Sequence, residues 1–205
     1  MKKIIFDLDN TLIKFDDSYF LDYAKVLRGT YKDGKNLYKI IGEYEKLNKI
    51  YDKEELVSFI NYKMNTNYNI DLINNLNDII SNNWIYKIPD NLDDVLSYLY
   101  KKYKLYVLTN WFTDCQEKRL ENANILKYFK EVVGNDKYLS KPSIDGYLHI
   151  IGDTNKKDVI MIGDNIDIDI KGAKDVGINY ILCDYDNKYK VKNKINNIIR
   201  LKEML

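Results

Sequence analysis

Four short stretches of this 205-residue sequence carry side chains that could do chemistry together. Asp7 and Asp9 stand two positions apart and are followed by Asn10 and Thr11. Thr109 precedes Asn110, and Lys141 precedes Pro142. Asp164 and Asp169 fall within Gly163-Asp164-Asn165-Ile166-Asp167-Ile168-Asp169. Two like charges as close as Asp7 and Asp9 repel unless a cation or a shared proton relieves them. The pair therefore asks for a metal, a proton-transfer role, or both. Asp, Asn and Thr are also ordinary turn residues, so alone the stretch reads equally as a solvated strand-to-turn junction. The other three stretches supply counterparts. Carboxylate oxygens in two clusters suit a hard cation such as Mg²⁺, and an ammonium beside a hydroxyl suits a phosphate. The ordered set describes a Mg²⁺ site next to a phosphate site.

Such a site needs elements that bring distant residues to one place. Ile4-Ile5-Phe6 is a short apolar run that reads as a buried strand. Lys104–Thr109, Glu131–Val133, Asp158–Ile162 and Tyr180–Cys183 read as further strands. Helical periodicity fills the intervals: Leu92 to Leu99, Asp114 to Asn122, Ser143 to Ile151 and Ile166 to Val176, with a last amphipathic helix closing the chain. Strands alternating with helices imply crossover units and a parallel sheet. In such a sheet the carboxyl ends of the strands converge on one edge, where ligands bind. From about Phe15 to Trp84 strand character disappears. Tyr19 to Leu27, Leu37 to Ile50, Lys53 to Met64 and Ile70 to Trp84 repeat at helical spacing instead. Tyr31, Lys32 and Lys35 beside Gly29 and Gly34 read as a solvated loop. The expected architecture is an α/β, Rossmann-like parallel sheet with helices on both faces. Its core is residues 1–13 plus 87–205, with an all-helical cap, 14–86, inserted after the first strand.

Composition narrows the classes. Hydrophobic residues make up 45% and aromatics 13%, which excludes a disordered chain. Thirty-two basic residues against 31 acidic ones leave a net charge of +1, with no bulk bias toward nucleic acid or an anionic membrane. Two widely separated cysteines lack metal-ligand spacing and fit a reducing compartment. No apolar run approaches a membrane span. A cytoplasmic protein is expected.

In order and wording, the four stretches resemble the haloacid dehalogenase-like (HAD) hydrolase superfamily. Phe6-Asp7-Leu8-Asp9-Asn10-Thr11-Leu12, Val107-Leu108-Thr109-Asn110, Lys141-Pro142 and Gly163-Asp164 to Asp169-Ile170-Lys171-Gly172-Ala173 carry the resemblance. The helical insert between the first two motifs is similar in position to that of the alpha-helical cap subclass. The resemblance implies a role for each residue. Asp7 would attack phosphorus and become an aspartyl-phosphate. Asp9 would protonate the leaving alcohol and later deprotonate water. Thr109, the amide of Asn110 and Lys141 would hold the phosphoryl oxygens. Mg²⁺ would be bound by Asp7, the carbonyl of Asp9, Asp164 and Asp169, the last directly or through water. Lys141 would pair with Asp7 and the acidic cluster when no substrate is present. Asn10 stands where glycine is frequent in the family, and asparagine tolerates left-handed geometry.

The expected activity is Mg²⁺-dependent hydrolysis of a phosphomonoester on a small metabolite. Dehalogenation is disfavoured, because halide leaves without the proton that Asp9 would supply. A phosphomutase shares the four motifs but must exclude water from its phosphoenzyme. A signalling receiver domain carries its acidic pair on the first strand and its phosphorylated aspartate on a later one, the reverse of this order. Phe15-Asp16 resembles pyrimidine 5′-nucleotidases of the superfamily, beside sugar-phosphate and phosphoglycolate hydrolysis as candidates. Trp111 either faces the leaving group or packs between core and cap. Phe112, Asp167, His149, Cys115 and Cys183 read as structural or solvated residues.

Overall fold

The centre of the fold is β1 (Lys3–Phe6), in a computed structural model that describes residues 2–85 and 87–205. It is flanked on one side by β2 (Lys104–Leu108) and then β3 (Phe129–Val133). On the other side lie β4 (Val159–Gly163), β5 (Asn179–Cys183) and β6 (Lys194–Ile195). Among the described residues these strands form one sheet of order β3-β2-β1-β4-β5-β6, and every pairing is parallel. Successive side chains of a strand point to opposite faces, so the sheet has two cores. Ile4 and Phe6 pack on one face with α5 (Leu92–Tyr100), Leu120 of α6 (Thr113–Asn122) and Leu201 of α9 (Leu201–Met204). Ile5 packs on the other with α7 (Asp145–Ile151) and α8 (Lys171–Val176). The fold is α/β and Rossmann-like, as the alternation of periods implied.

Between β1 and β2 run α1 (Phe20–Leu27), α2 (Tyr31–Glu45), α3 (Lys53–Met64) and α4 (Asp71–Asn83). They share an apolar cluster of their own, which also takes in Trp111, Phe112 and Cys115. Asp52 caps α3 by accepting a hydrogen bond from the Glu55 amide at 2.9 Å. α1 and α2 cross so closely that a Cβ on Gly34 would lie 1.9 Å from the Phe20 carbonyl oxygen. Only glycine allows that approach. The chain leaves the sheet at Lys14 and returns at Lys87, where the Lys14 amide donates to the Lys87 carbonyl at 2.8 Å. Positions 1 and 86, the outer edges of the expected core and cap ranges, lie outside the described residues.

Four expectations are corrected. Residues 31–35 are the first turns of α2 and not a loop, because Thr30 and Asp33 form a reciprocal capping box there. That helix stops at Glu45 and does not reach Ile50. Asn48 takes a left-handed φ of 54°, leaving Leu47 and Ile50 about half exposed. The helix after β4 opens with a wide turn, Ile166–Ile170, before α8 begins. The closing segment is not one amphipathic helix. It contributes a sixth strand and then short helical turns, since buried Asp184 gathers Lys188, Tyr189 and Lys194 into a tight polar loop. No helix among the described residues is long and apolar enough to cross a membrane.

Candidate active site

The carboxyl ends of β1, β2 and β4 meet at one edge of the sheet, and the polar residues that follow them meet there too. The Asp7 amide still belongs to the ladder, donating to the Ile162 carbonyl at 2.8 Å. Its side chain then enters a buried cluster in which oxygens of Asp7, Asp164 and Asp169 lie within 4.8 Å of one another. Lys141 reaches this cluster from the loop before α7. Its ammonium donates to Asp7 Oδ1 at 2.5 Å and to Asp169 Oδ1 at 2.7 Å. Gly163 makes room for the arrangement, because a Cβ there would come within 2.5 Å of the Asp169 carboxyl carbon.

The electrostatics follow from three carboxylates facing one ammonium with little water. Burial pushes Asp7 well above the usual carboxylate range; Asp169 and Asp164 add to this while Lys141 opposes it. Burial and the charge of Asp169 push Asp164 up to about 7. For Lys141 burial alone would favour the neutral amine, but Asp169 and Asp7 outweigh it and hold the proton more tightly than usual. The cluster thus has an excess of negative charge that a divalent cation would relieve. Its donors are all hard carboxylate oxygens, and the residues fit Mg²⁺.

Asp9 is held apart from this cluster. Its turn is closed by Leu12 and Ile13 amides donating to the Leu8 carbonyl at 2.9 and 3.0 Å, and Asn10 adopts the expected left-handed φ, 58°. The Asp9 carboxylate lies 2.8 Å from Nη2 of Arg119, an ion pair whose angles are not those of a hydrogen bond. Arg119 projects from α6 and is 0% exposed. Its Nε donates to the Trp84 carbonyl at the end of α4 at 2.7 Å, and its Nη1 donates to Gln116 Oε1 at 3.4 Å. Gln116 in turn donates from Nε2 to Thr109 Oγ1 at 3.0 Å. One buried guanidinium therefore ties together Asp9, the hydroxyl after β2 and the last inserted helix.

The Asn110 side chain clamps the loop that carries Lys141. Oδ1 accepts from the Lys141 amide at 2.9 Å, and Nδ2 donates to the Lys141 carbonyl at 3.1 Å. Nδ2 also donates to Glu45 at the end of α2. A cavity of about 460 Å³ opens beside these groups, lined by Asp9, Asn110, Phe15, Tyr38, Trp84 and Trp111 among others. Trp111 packs between core and insert and also reaches the cavity. Its indole donates to Asn77 of α4 at 2.8 Å, tying core to insert.

A family model described as haloacid dehalogenase-like hydrolase matches residues 4–183. This chain belongs to that family. Among its relatives, pyrimidine 5′-nucleotidase PynA of Streptococcus pneumoniae is 28% identical over 200 residues, 88% of this chain and 82% of that protein. YfnB of Bacillus subtilis, named as a HAD-hydrolase, is 27% identical over 110 residues, 52% of this chain and 47% of YfnB. The magnesium-bound crystal structure of YfnB superposes with a TM-score of 0.75 at 20% identity, covering 100% of this chain and 98% of YfnB. A 2-haloacid dehalogenase from Pseudomonas syringae pv. Tomato superposes nearly as well, with a TM-score of 0.72 at 18% identity over 99% of this chain and 97% of that one. Likeness of fold thus extends to a dehalogenase, and the reaction of this chain has to be read from its own side chains.

All eight residues singled out in the HAD motifs and beside them lie along this edge. Asp7, Asp164, Asp169 and Lys141 form one contact cluster; Asn110, Asp9 and Trp111 line the cavity, and Thr109 is buried behind Gln116, which lines it. Asp167 is exposed, and its amide donates to Asn165 Oδ1 at 3.0 Å. His149 stacks on Tyr138 and approaches Glu131 at 2.8 Å on the far side of β3. Cys115 and Cys183 are buried free thiols. Arg119, Gln116 and Glu45 had not been singled out. Arg119 and Gln116 sit inside α6 and Glu45 at the end of α2, with no strand-end position to advertise them; a charged residue on the apolar face of α6 is the signal the sequence offers.

Proposed function

We propose that this HAD-family hydrolase is a Mg²⁺-dependent phosphomonoesterase acting on a small phosphorylated metabolite through an aspartyl-phosphate on Asp7. The observation that carries this is the separation of two carboxylates. Asp7 lies with Lys141 and two further carboxylates, while Asp9 stands over the cavity on Arg119. A halide would leave without a proton, and Asp9 would then have no task. An alkoxide needs one.

In this mechanism the phosphoryl group sits among Thr109, the Asn110 amide and Lys141. Lys141 turns from Asp7 toward the phosphoryl oxygens as charge develops on them. A carboxylate oxygen of Asp7 bonds to phosphorus as the bond to the leaving oxygen breaks, and protonated Asp9 delivers its proton to that oxygen. Asp9, now a carboxylate, takes a proton from water. That water attacks phosphorus, the bond to Asp7 breaks, and orthophosphate is released. Asp7, Asp164, Asp169 and the Asp9 carbonyl would hold Mg²⁺, which supplies charge neutralisation so that one anion can approach another. Residues 1–13 and 87–205 serve as the catalytic core, and 14–86 as a cap that shapes the leaving-group cavity.

Among leaving groups, the aromatic walls supplied by Phe15, Tyr38, Trp84 and Trp111 favour a planar nucleobase, in keeping with similarity to PynA. The test is hydrolysis of an aryl phosphate with and without Mg²⁺, followed by a panel of phosphorylated metabolites that includes nucleoside monophosphates. Asp7→Asn is expected to abolish turnover and phosphoenzyme while melting like the wild type. Full activity in that variant overturns the mechanism.

A further inference from the structure

Glu45 is the last residue of α2, and its carboxylate lies against the core across the cavity mouth. It accepts a hydrogen bond from Asn110 Nδ2. Asn110 is not free to follow a ligand, because the same amide is locked on both backbone polar groups of Lys141. Glu45 therefore overlooks the point where a phosphate held by Thr109, Asn110 and Lys141 passes into its leaving group. The cavity is graded in charge. Exposed Lys39 and Lys46 stand at its rim. Of the other charged lining residues, Arg119 is paired with Asp9 and Glu43 with Lys63, whereas Glu45 is held only by the neutral Asn110 amide. The rim attracts a phosphate dianion, and the interior is unfavourable to a second anion behind it.

We infer that Glu45 sets leaving-group specificity: its carboxylate accepts a hydrogen bond from an O–H or N–H donor on the leaving group and repels one that carries a second negative charge. This rests on the phosphomonoesterase reading and deepens it, since it favours hydroxylated or nucleoside leaving groups over phosphorylated carboxylic acids. Burial supports the first half. It pushes the Glu45 carboxyl above its ordinary range, with the Asn110 amide only partly opposing, so a donor arriving with substrate offsets a cost the free protein carries. The second half is specificity by repulsion, in which an unpaired like charge rejects the wrong ligand.

The experiment compares two substrates of one carbon skeleton, 2-phosphoglycolate and 2-hydroxyethyl phosphate, which differ in carrying a carboxylate or a hydroxymethyl group. The readout is the ratio of their kcat/KM values within each enzyme, so a general loss of activity cancels. In Glu45→Gln the ratio is expected to shift toward phosphoglycolate by about tenfold or more. Glu45→Asp, which keeps the charge, is expected to stay near the wild-type ratio. An unchanged ratio in Glu45→Gln, or a shift of the same size in Glu45→Asp, overturns the inference. If the wild type hydrolyses these substrates or an aryl phosphate but the ratio does not move, only the inference falls. If Mg²⁺-loaded wild type hydrolyses none of the three, the phosphomonoesterase reading falls with it.

Discussion

With no cation in the acidic cluster, Asp164 is expected to contribute stability that falls as pH rises, the opposite of the contribution that drives ordinary acid denaturation. Asp164 sits at about 7 in the folded protein against an ordinary 3.8, through burial and the charge of Asp169. Between those two values the folded state holds a proton that the unfolded chain has released. Its contribution to stability is therefore complete below about pH 4 and is lost as pH climbs through about 7. The gap of 7 − 3.8 = 3.2 pH units, at about 1.4 kcal/mol per unit, amounts to about 4 kcal/mol. That is a large share of the 5–15 kcal/mol typical of a domain. Urea unfolding of wild type and Asp164→Asn, in chelator and in Mg²⁺, isolates the effect, because the surface carboxylates titrate alike in both proteins. In chelator the wild type is expected to lose up to about 4 kcal/mol relative to Asp164→Asn as pH rises from about 4 to about 8. Saturating Mg²⁺ should remove most of that slope in the wild type and act less on the variant. A wild-type curve parallel to that of Asp164→Asn in chelator, or equal stabilisation of both by Mg²⁺, would refute the reasoning.

Two other substitutions probe the links between sheet and insert. Arg119→Met removes the charged donor to the Trp84 carbonyl and the partner of Asp9, and a stability loss of about 2–3 kcal/mol is expected in denaturant unfolding. Because the proton proposed to come from Asp9 matters most for a poor leaving group, kcat/KM on an alkyl phosphate should fall about tenfold more than on a nitrophenyl phosphate; an equal loss on both would mean that Arg119 is only structural. Gly34→Ala gains up to about 1 kcal/mol of helix propensity, yet its Cβ would meet the Phe20 carbonyl at 1.9 Å. Overpacking of about 1–3 kcal/mol should win, lowering the thermal midpoint, and a midpoint at or above wild type would refute the close crossing of α1 and α2.

Much of this molecule could be read from its residues because its chemistry sits at strand ends. Asp7, Thr109 and Asp164 each follow an apolar run that can only be a buried strand, and parallel topology then forces them together. The five principal strands were legible as short apolar runs, and α3 from the helical spacing of Leu56, Val57 and Ile60. The sixth strand was not, since Lys194–Ile195 is too short for a period to develop and its place depends on the loop around Asp184. The end of α2 was hidden because Leu47 and Ile50 continue the apolar spacing although the chain has already turned at Asn48. Arg119 and Glu45 escaped for a deeper reason. Their roles depend on which helix faces reach the cavity, and that is decided by how the inserted helices lie on the sheet. Asp9 could be recognised from its neighbours in sequence; its partner, 110 positions away, could not.

The hydrogen bond from the Lys14 amide to the Lys87 carbonyl has an evolutionary consequence. The departing and returning chains are already joined there, so whatever lies between them begins and ends at one point. The entropy of closing such an excursion grows only as the logarithm of its length, about 0.6 kcal/mol per doubling. Helices can be added to the excursion, lost from it or exchanged without altering the register of β1 against β2. The junction is a socket in the topological sense: α1 to α4 enter and leave through one hydrogen-bonded point beside the central strands.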